Sequence, residues 1–149
     1  MTDVELLPGE LLGVWSLDRV VHDRLTDQRH AVEGTTTFES ASNGAILWSE
    51  NGTMRSPFGS TPIQRRLHLV RAETGRWQVR FEDERPFHEW DTTASMIHQC
   101  DPDEYVARIE ADRDSAGTVT RWAMTWDAIG PHKDYRIEST MVRADPHPR

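Results

Sequence analysis

From residue 13 onward the chain repeats in steps of two. Trp15, Leu17, Arg19 and Val21 alternate with Val14, Ser16, Asp18 and Val20, and Val32, Gly34, Thr36 and Phe38 with the polar residues between them. Runs of the same kind cover 45–55, 63–72, 76–82, 87–91, 95–100, 104–111, 118–127 and 133–142. Their β-branched and aromatic residues suit a pleated, half-buried surface. Turn signals separate them: Asn43-Gly44, Pro57 to Pro62, Thr74-Gly75, Asp83-Glu84, Asp101-Pro102, Ala116-Gly117 and Gly130-Pro131. Connections this short join antiparallel neighbours and leave no room for crossover helices. The spacing therefore predicts an all-β antiparallel domain of about ten strands, in which 87–91 and 95–100 form one of the hairpins. Asn51-Gly52 falls inside a run and predicts a break or bulge there. A helix fits only at 4–12, and Pro8-Gly9 limits it to a turn or two. Pro146 and Pro148 mark 144–149 as a frayed tail, and residues 1–10 as a cap region complete a single domain spanning all 149 residues.

Ten such strands stack as two sheets or close into a barrel. The polarity of the inward faces favours closure. Arg19 shares a face with Trp15 and Leu17, Arg65 with Ile63 and Leu67, and Glu50 with Trp48. In a dry sandwich core each would need a buried partner, whereas a wet barrel lumen can hold them on its wall. An up-and-down barrel is the expected architecture.

Composition narrows the partners. The net charge is −8, and residues 82–114 hold 11 acids against 3 bases, so the imbalance sits in one segment. Nucleic acid needs clustered cations to displace counterions, and a chain whose single lysine is Lys133 does not supply them. An anionic membrane surface is excluded on the same ground, and no run approaches the roughly 20 apolar residues of a spanning helix. The acidic start lacks a signal-peptide pattern and the one cysteine, Cys100, has no intrachain partner, which together predict a cytoplasmic protein. A homodimer is compatible with this reading.

The opening Leu12-Gly13-Val14-Trp15 resembles the Gly-x-Trp signature of lipocalin-like (calycin) barrels. That resemblance implies a tryptophan packed across the closed end with an arginine of the last strand stacked on it, Arg143 more naturally than Arg136. The segments Phe81-Glu82-Asp83-Glu84-Arg85-Pro86-Phe87-His88, His98-Gln99-Cys100-Asp101-Pro102-Asp103-Glu104-Tyr105 and Gly130-Pro131-His132-Lys133-Asp134-Tyr135 are similar to the hallmark blocks of a bacterial lipocalin-like family of unknown function. The likeness extends over residues 11–143, and it departs at Glu84, where that family usually carries glycine. It implies a barrel and carries no activity.

The chemistry-bearing residues gather in these blocks. Strand periodicity puts His98 and Cys100 on one face, with His88 on the neighbouring run and Asp103 and Tyr105 just beyond the turn. Two His and one Cys are donors for zinc or copper, but the spacing matches no compact metal motif, and no metal is assigned. A Cys100 nucleophile activated by His98 is awkward, since same-face neighbours on a strand stand about 7 Å apart. His88 oriented by Asp103, with Tyr105 or Tyr135 donating a proton, makes an acid–base set for a cofactor-independent isomerase or cyclase. The plainer alternative is a hydrogen-bonded rim of Arg85, Asp103, Tyr105, Asp134 and Tyr135. Lys133 reads either as a clamp for an anionic ligand or as a surface ion pair. Trp48, Trp122 and Trp126 read as an aromatic ligand wall or as core, and His98 or His132 would be the axial ligand if the barrel held haem. The expected function is binding of a small, partly apolar molecule in the barrel, without a cofactor. Arg85, His98, Cys100, Lys133, Trp48, Trp122 and Trp126 are its expected contacts; the acid–base enzyme and the haem barrel are the alternatives.

Overall fold

The computed structural model describes residues 5–144. Ten strands follow one another: β1 (Gly13–Asp23), β2 (Gln28–Ser40), β3 (Ile46–Ser56), β4 (Gly59–Arg71), β5 (Trp77–Phe81), β6 (Pro86–Glu89), β7 (Met96–Cys100), β8 (Asp103–Arg113), β9 (Val119–Gly130) and β10 (Lys133–Arg143). Neighbours in sequence pair antiparallel, and β1 also pairs with β10, from Trp15 opposite Arg143 to Asp23 opposite Tyr135. The sheet thus wraps into a nearly closed barrel whose single break lies between β6 and β7. The 4–12 helix is a 3-10 turn of four residues, Pro8–Leu11. Of the expected cap and tail, residues 1–4 and 145–149 lie outside the described residues.

The break corrects the hairpin expected between 87–91 and 95–100. Only two short strands flank it, and the connection turns Trp90 into the core, where it is 5% exposed. The indole N–H of Trp90 donates to the Leu6 carbonyl at 2.8 Å, and Leu6 N–H donates to Thr92 Oγ1 at 2.8 Å. The N-terminal segment therefore fastens this connection from below. Higher up, His98 Nδ1 on β7 donates to the Phe87 carbonyl on β6 at 2.8 Å, one side-chain bond across strands that share no ladder.

Asn51-Gly52 neither breaks nor bulges β3. Gly52 pairs with Gly34 of β2, and a Cβ on Gly34 would overlap the backbone of Asn51 and Gly52. The two glycines let the strands approach closely at a point where both face the interior. β4 begins earlier than its pattern predicts and includes Pro62. It is paired with β5 only from Leu67 opposite Phe81, so its upper part is an edge, where a strand tolerates proline.

An aromatic plug fills the end carrying the 3-10 turn. Trp15, Trp122, Phe38 and Trp48 meet with ring centroids 5.1–6.3 Å apart, and Trp90 packs edge-on against Trp48. Trp15 donates its indole N–H to the Leu11 carbonyl at 2.8 Å. The Arg143 guanidinium lies 4.1 Å from the Trp15 ring centroid and donates to the carbonyls of Leu12 and Glu10 at 2.8 and 3.1 Å. It ties the last strand, the first tryptophan and the cap together. Replacing Arg143 with Met removes a cation–π contact and three carbonyl hydrogen bonds, to Leu12, Glu10 and Val119, and is expected to lower stability by about 2–3 kcal/mol in urea unfolding.

Candidate functional site

Above the plug the lumen turns polar. Glu50, on β3 and 2% exposed in its side chain, sits between Arg19 of β1 and Arg65 of β4. Arg19 Nη2 donates to both carboxylate oxygens at 2.9 and 3.0 Å, and Arg65 Nη2 to Oε1 at 3.3 Å. Thr36 Oγ1 donates to Oε2 at 3.2 Å, and Arg19 Nε is held by Ser139 Oγ at 2.7 Å. These residues reach each other because Thr36, Glu50 and Arg65 are cross-strand partners on one inward face, as are Arg19 and Ser139. Burial pushes the Glu50 carboxyl up, but the charges of Arg65 and Arg19 and the hydrogen bonds from Arg19 and Thr36 outweigh it, so Glu50 stays ionised. Burial likewise pulls the Arg65 guanidinium down, opposed by Glu50.

The two arginines differ. Arg19 is 13% exposed and held through Nε and Nη2, whereas Arg65 keeps 40% of its side-chain surface open. Arg65 stands just past the last β4–β5 pair, where the wall is one strand short. Its guanidinium carbon lies 5.7 Å from the Trp48 ring centroid.

An aromatic wall continues from there. Phe87 stacks on Phe81 at 4.6 Å and on Trp126 at 5.4 Å, and His88 and His98 pack edge-on to Phe87 at 4.6 and 4.9 Å. His88 is 5% exposed, and its Nδ1 donates to the Glu89 carbonyl at 2.7 Å. Its Nε2 is therefore a bare acceptor, and it is buried without a partner among the described residues, as are the indole nitrogens of Trp48 and Trp122. Burial pushes the His88 imidazole down to about 4, helped by the charges of His98 and Arg65, with the Glu89 bond opposing. His88 is neutral at pH 7.

At the far end from the plug a second polar group forms. Lys133 Nζ donates to Tyr105 Oη at 2.7 Å and pairs with Asp103 Oδ2 at 3.2 Å. It also lies 5.2 and 5.9 Å from the ring centroids of Tyr105 and Tyr135. Asp103 rests against Gly130, where a Cβ would collide with its carboxylate. Burial and hydrogen bonding with Tyr105 raise Tyr135.

The expected residues are thus sorted into separate places. His98, Tyr105, Phe87 and Trp126 meet on the upper wall. Asp103, Lys133, Tyr105 and Tyr135 meet at the mouth. The His88–Asp103 pair is not formed: His88 spends Nδ1 on Glu89, and Asp103 is engaged by Lys133. Trp48 and Trp122 are 2% and 0% exposed within the plug, so their ring faces are taken by other aromatics. Arg85 turns outward to Asp83 at 2.6 Å, and Cys100 and His132 are exposed on or beside turns. No three His, Cys, Asp or Glu side chains among the described residues are grouped to hold a metal ion. Glu84, where the similar family favours glycine, has φ 75° and is held by His68 Nδ1 at 2.8 Å. An open groove of about 460 Å³ lies between Arg71, Arg76, Trp77 and Trp90, and its lining includes none of Arg19, Glu50 or Arg65.

The sequence profile of a family of unknown function, DUF6314, matches residues 11–143. The chain belongs to DUF6314. A search of the curated proteins finds no match. No helix among the described residues is long and apolar enough to cross a membrane.

Two measurements check this account of the DUF6314 lumen. Glu50→Gln leaves two facing guanidiniums with no counter-charge, and is expected to cost about 2–4 kcal/mol in chemical unfolding. For His88 the folded value of about 4 lies below the ordinary 6.5, so the unfolded chain binds the extra proton between them. His88 thus contributes stability above pH 6.5 that is lost as pH falls toward 4, by up to about 3 kcal/mol. Unfolding followed across that window in wild type and His88→Phe is expected to show the steeper fall only in wild type.

Proposed function

We propose that this protein is a lipocalin-like, cytoplasmic carrier or receptor that binds a small, partly apolar organic molecule in the upper lumen of its barrel. The observation that carries the reading is Arg65, which faces the interior beside Trp48 with 40% of its side chain accessible. Exposed side-chain surface on an inward-facing arginine is retained where water or a ligand occupies the space, because a closed apolar interior would penalise the charge heavily. The ring wall of Phe81, Phe87 and Trp126 supplies the apolar contact that such sites need, alongside a few placed polar groups. Val21, Met54, Ile63 and Ile137 face the same upper space and are only partly buried. The plug closes the other end, so a ligand enters from the mouth or past the upper edge of β4.

An acid–base enzyme is the weaker reading. His88 is a poor base when its imidazole is held down to about 4, and Asp103 is committed to Lys133 rather than to His88.

The test uses N-phenyl-1-naphthylamine, an uncharged dye that fluoresces in apolar cavities. Wild type is expected to bind it saturably at micromolar concentration. Ile137→Trp, which fills the upper lumen, is expected to remove that binding while leaving the circular dichroism spectrum and cooperative unfolding intact. Absence of saturable binding in wild type, or full binding by Ile137→Trp, rejects the reading.

A further inference from the structure

We infer that the lumen selects an amphipathic monoanion, its carboxylate- or sulfonate-type head on Arg65 and its apolar body along the Phe81, Phe87 and Trp126 wall. The inference rests on the lumen-binding reading above and adds the charge and orientation of the ligand.

A carboxylate offers about four acceptor sites. Glu50 uses four contacts, two from Arg19, one from Arg65 and one from Thr36, so it has nothing left to give. Two guanidiniums share this one acid, and His88 on the adjoining wall is neutral at pH 7. The polar centre therefore carries one uncompensated positive charge. That charge resides on Arg65, because Arg19 is fixed by both oxygens of Glu50 and by Ser139 while Arg65 makes a single 3.3 Å contact. Among the described residues only one guanidinium N–H of Arg65 has an acceptor, and the guanidinium fork matches a planar oxyanion.

A second observation points the same way. His88 Nε2 is a lone pair buried without a partner, on the wall whose potential the Arg65 charge already raises. Buried polar atoms of this kind are ordinarily satisfied by water or ligand. A ligand that places an anion on Arg65 and presents an O–H or N–H donor beside it satisfies both groups at once. The mouth cation is not a rival receptor, since Lys133 is already neutralised by Asp103.

The experiment compares 8-anilinonaphthalene-1-sulfonate with N-phenyl-1-naphthylamine, which have the same aromatic body and differ in the anionic head. Fluorescence titrations are run on wild type, Arg65→Met, Arg65→Lys and Ile137→Trp. Arg65→Met leaves the Arg19–Glu50 pair intact, and retained binding of the neutral dye reports that its lumen is folded. The expected result is an affinity loss of about tenfold or more for the sulfonate in Arg65→Met, a loss of less than about twofold for the neutral dye, and partial recovery of the sulfonate in Arg65→Lys. Ile137→Trp is expected to abolish both. Equal effects of Arg65→Met on the two dyes, with the neutral dye still bound by wild type, overturn the anion inference and leave the lumen reading standing. Failure of the neutral dye to bind wild type overturns the lumen reading itself, and sulfonate binding that survives Ile137→Trp places the anion site elsewhere and overturns the inference.

Discussion

The rest of the interior is arranged around one buried carboxylate. Glu50 is almost completely removed from solvent, and an ionised acid in that position is tolerable only with cations and hydrogen-bond donors on its lone pairs. Arg19, Arg65 and Thr36 supply them from three different strands, and Ser139 steadies Arg19 from a fourth. The cluster thus links β1, β2, β3, β4 and β10 through their inward faces. It also explains why the barrel is not simply filled with apolar side chains at this level. The charged layer separates the aromatic plug below it from the Phe81, Phe87 and Trp126 wall above it.

That division gives the barrel two unlike ends. The lower end is sealed by indoles and by Arg143, which caps Trp15 and fastens the 3-10 turn through its carbonyls. The upper end keeps Arg65, the Phe87 stack and the Lys133 group around a lumen. The missing ladder between β6 and β7 is compatible with a stable wall because the N-terminal segment holds one end of the gap through Trp90 and Thr92, and His98 holds the other. Short strands and a side-chain clasp make this the part of the wall with the fewest backbone bonds, and local opening starts where such bonds are few.

The candidate site was only partly legible beforehand. Arg19, Arg65 and Glu50 were visible as polar residues on apolar strand faces, the very pattern that favoured a wet barrel over a dry sandwich. Their mutual pairing was not visible, because cross-strand register puts Glu50 opposite Thr36 and Arg65, and register follows from the whole ladder rather than from any one strand. The conspicuous motif residues drew the expectation toward His88, Asp103 and Lys133 instead. Those residues fall into two groups once β6 and β7 fail to pair, since the expected His88–Asp103 contact depended on that hairpin. Trp48 and Trp122 were read either as a ligand wall or as core, and alternation alone does not tell the plugged end of a barrel from its open end.

What the sequence determined was local and periodic: ten alternating runs, short turns with Gly44, Gly75 and Gly117 at positive φ, and an inward set of side chains containing a few charges. Alternation is a property of the extended backbone, so it survives without knowledge of partners. The stacking of Arg143 on Trp15 was an expectation carried by the resemblance of Gly13-Val14-Trp15 to the calycin signature, and the guanidinium does lie over that ring. The tertiary structure decided which strands fail to meet, which end is plugged, and which arginine is left with a free face. Those are consequences of closure, in which the register of nine ladders and the length of each strand are fixed together, and no single segment carries them.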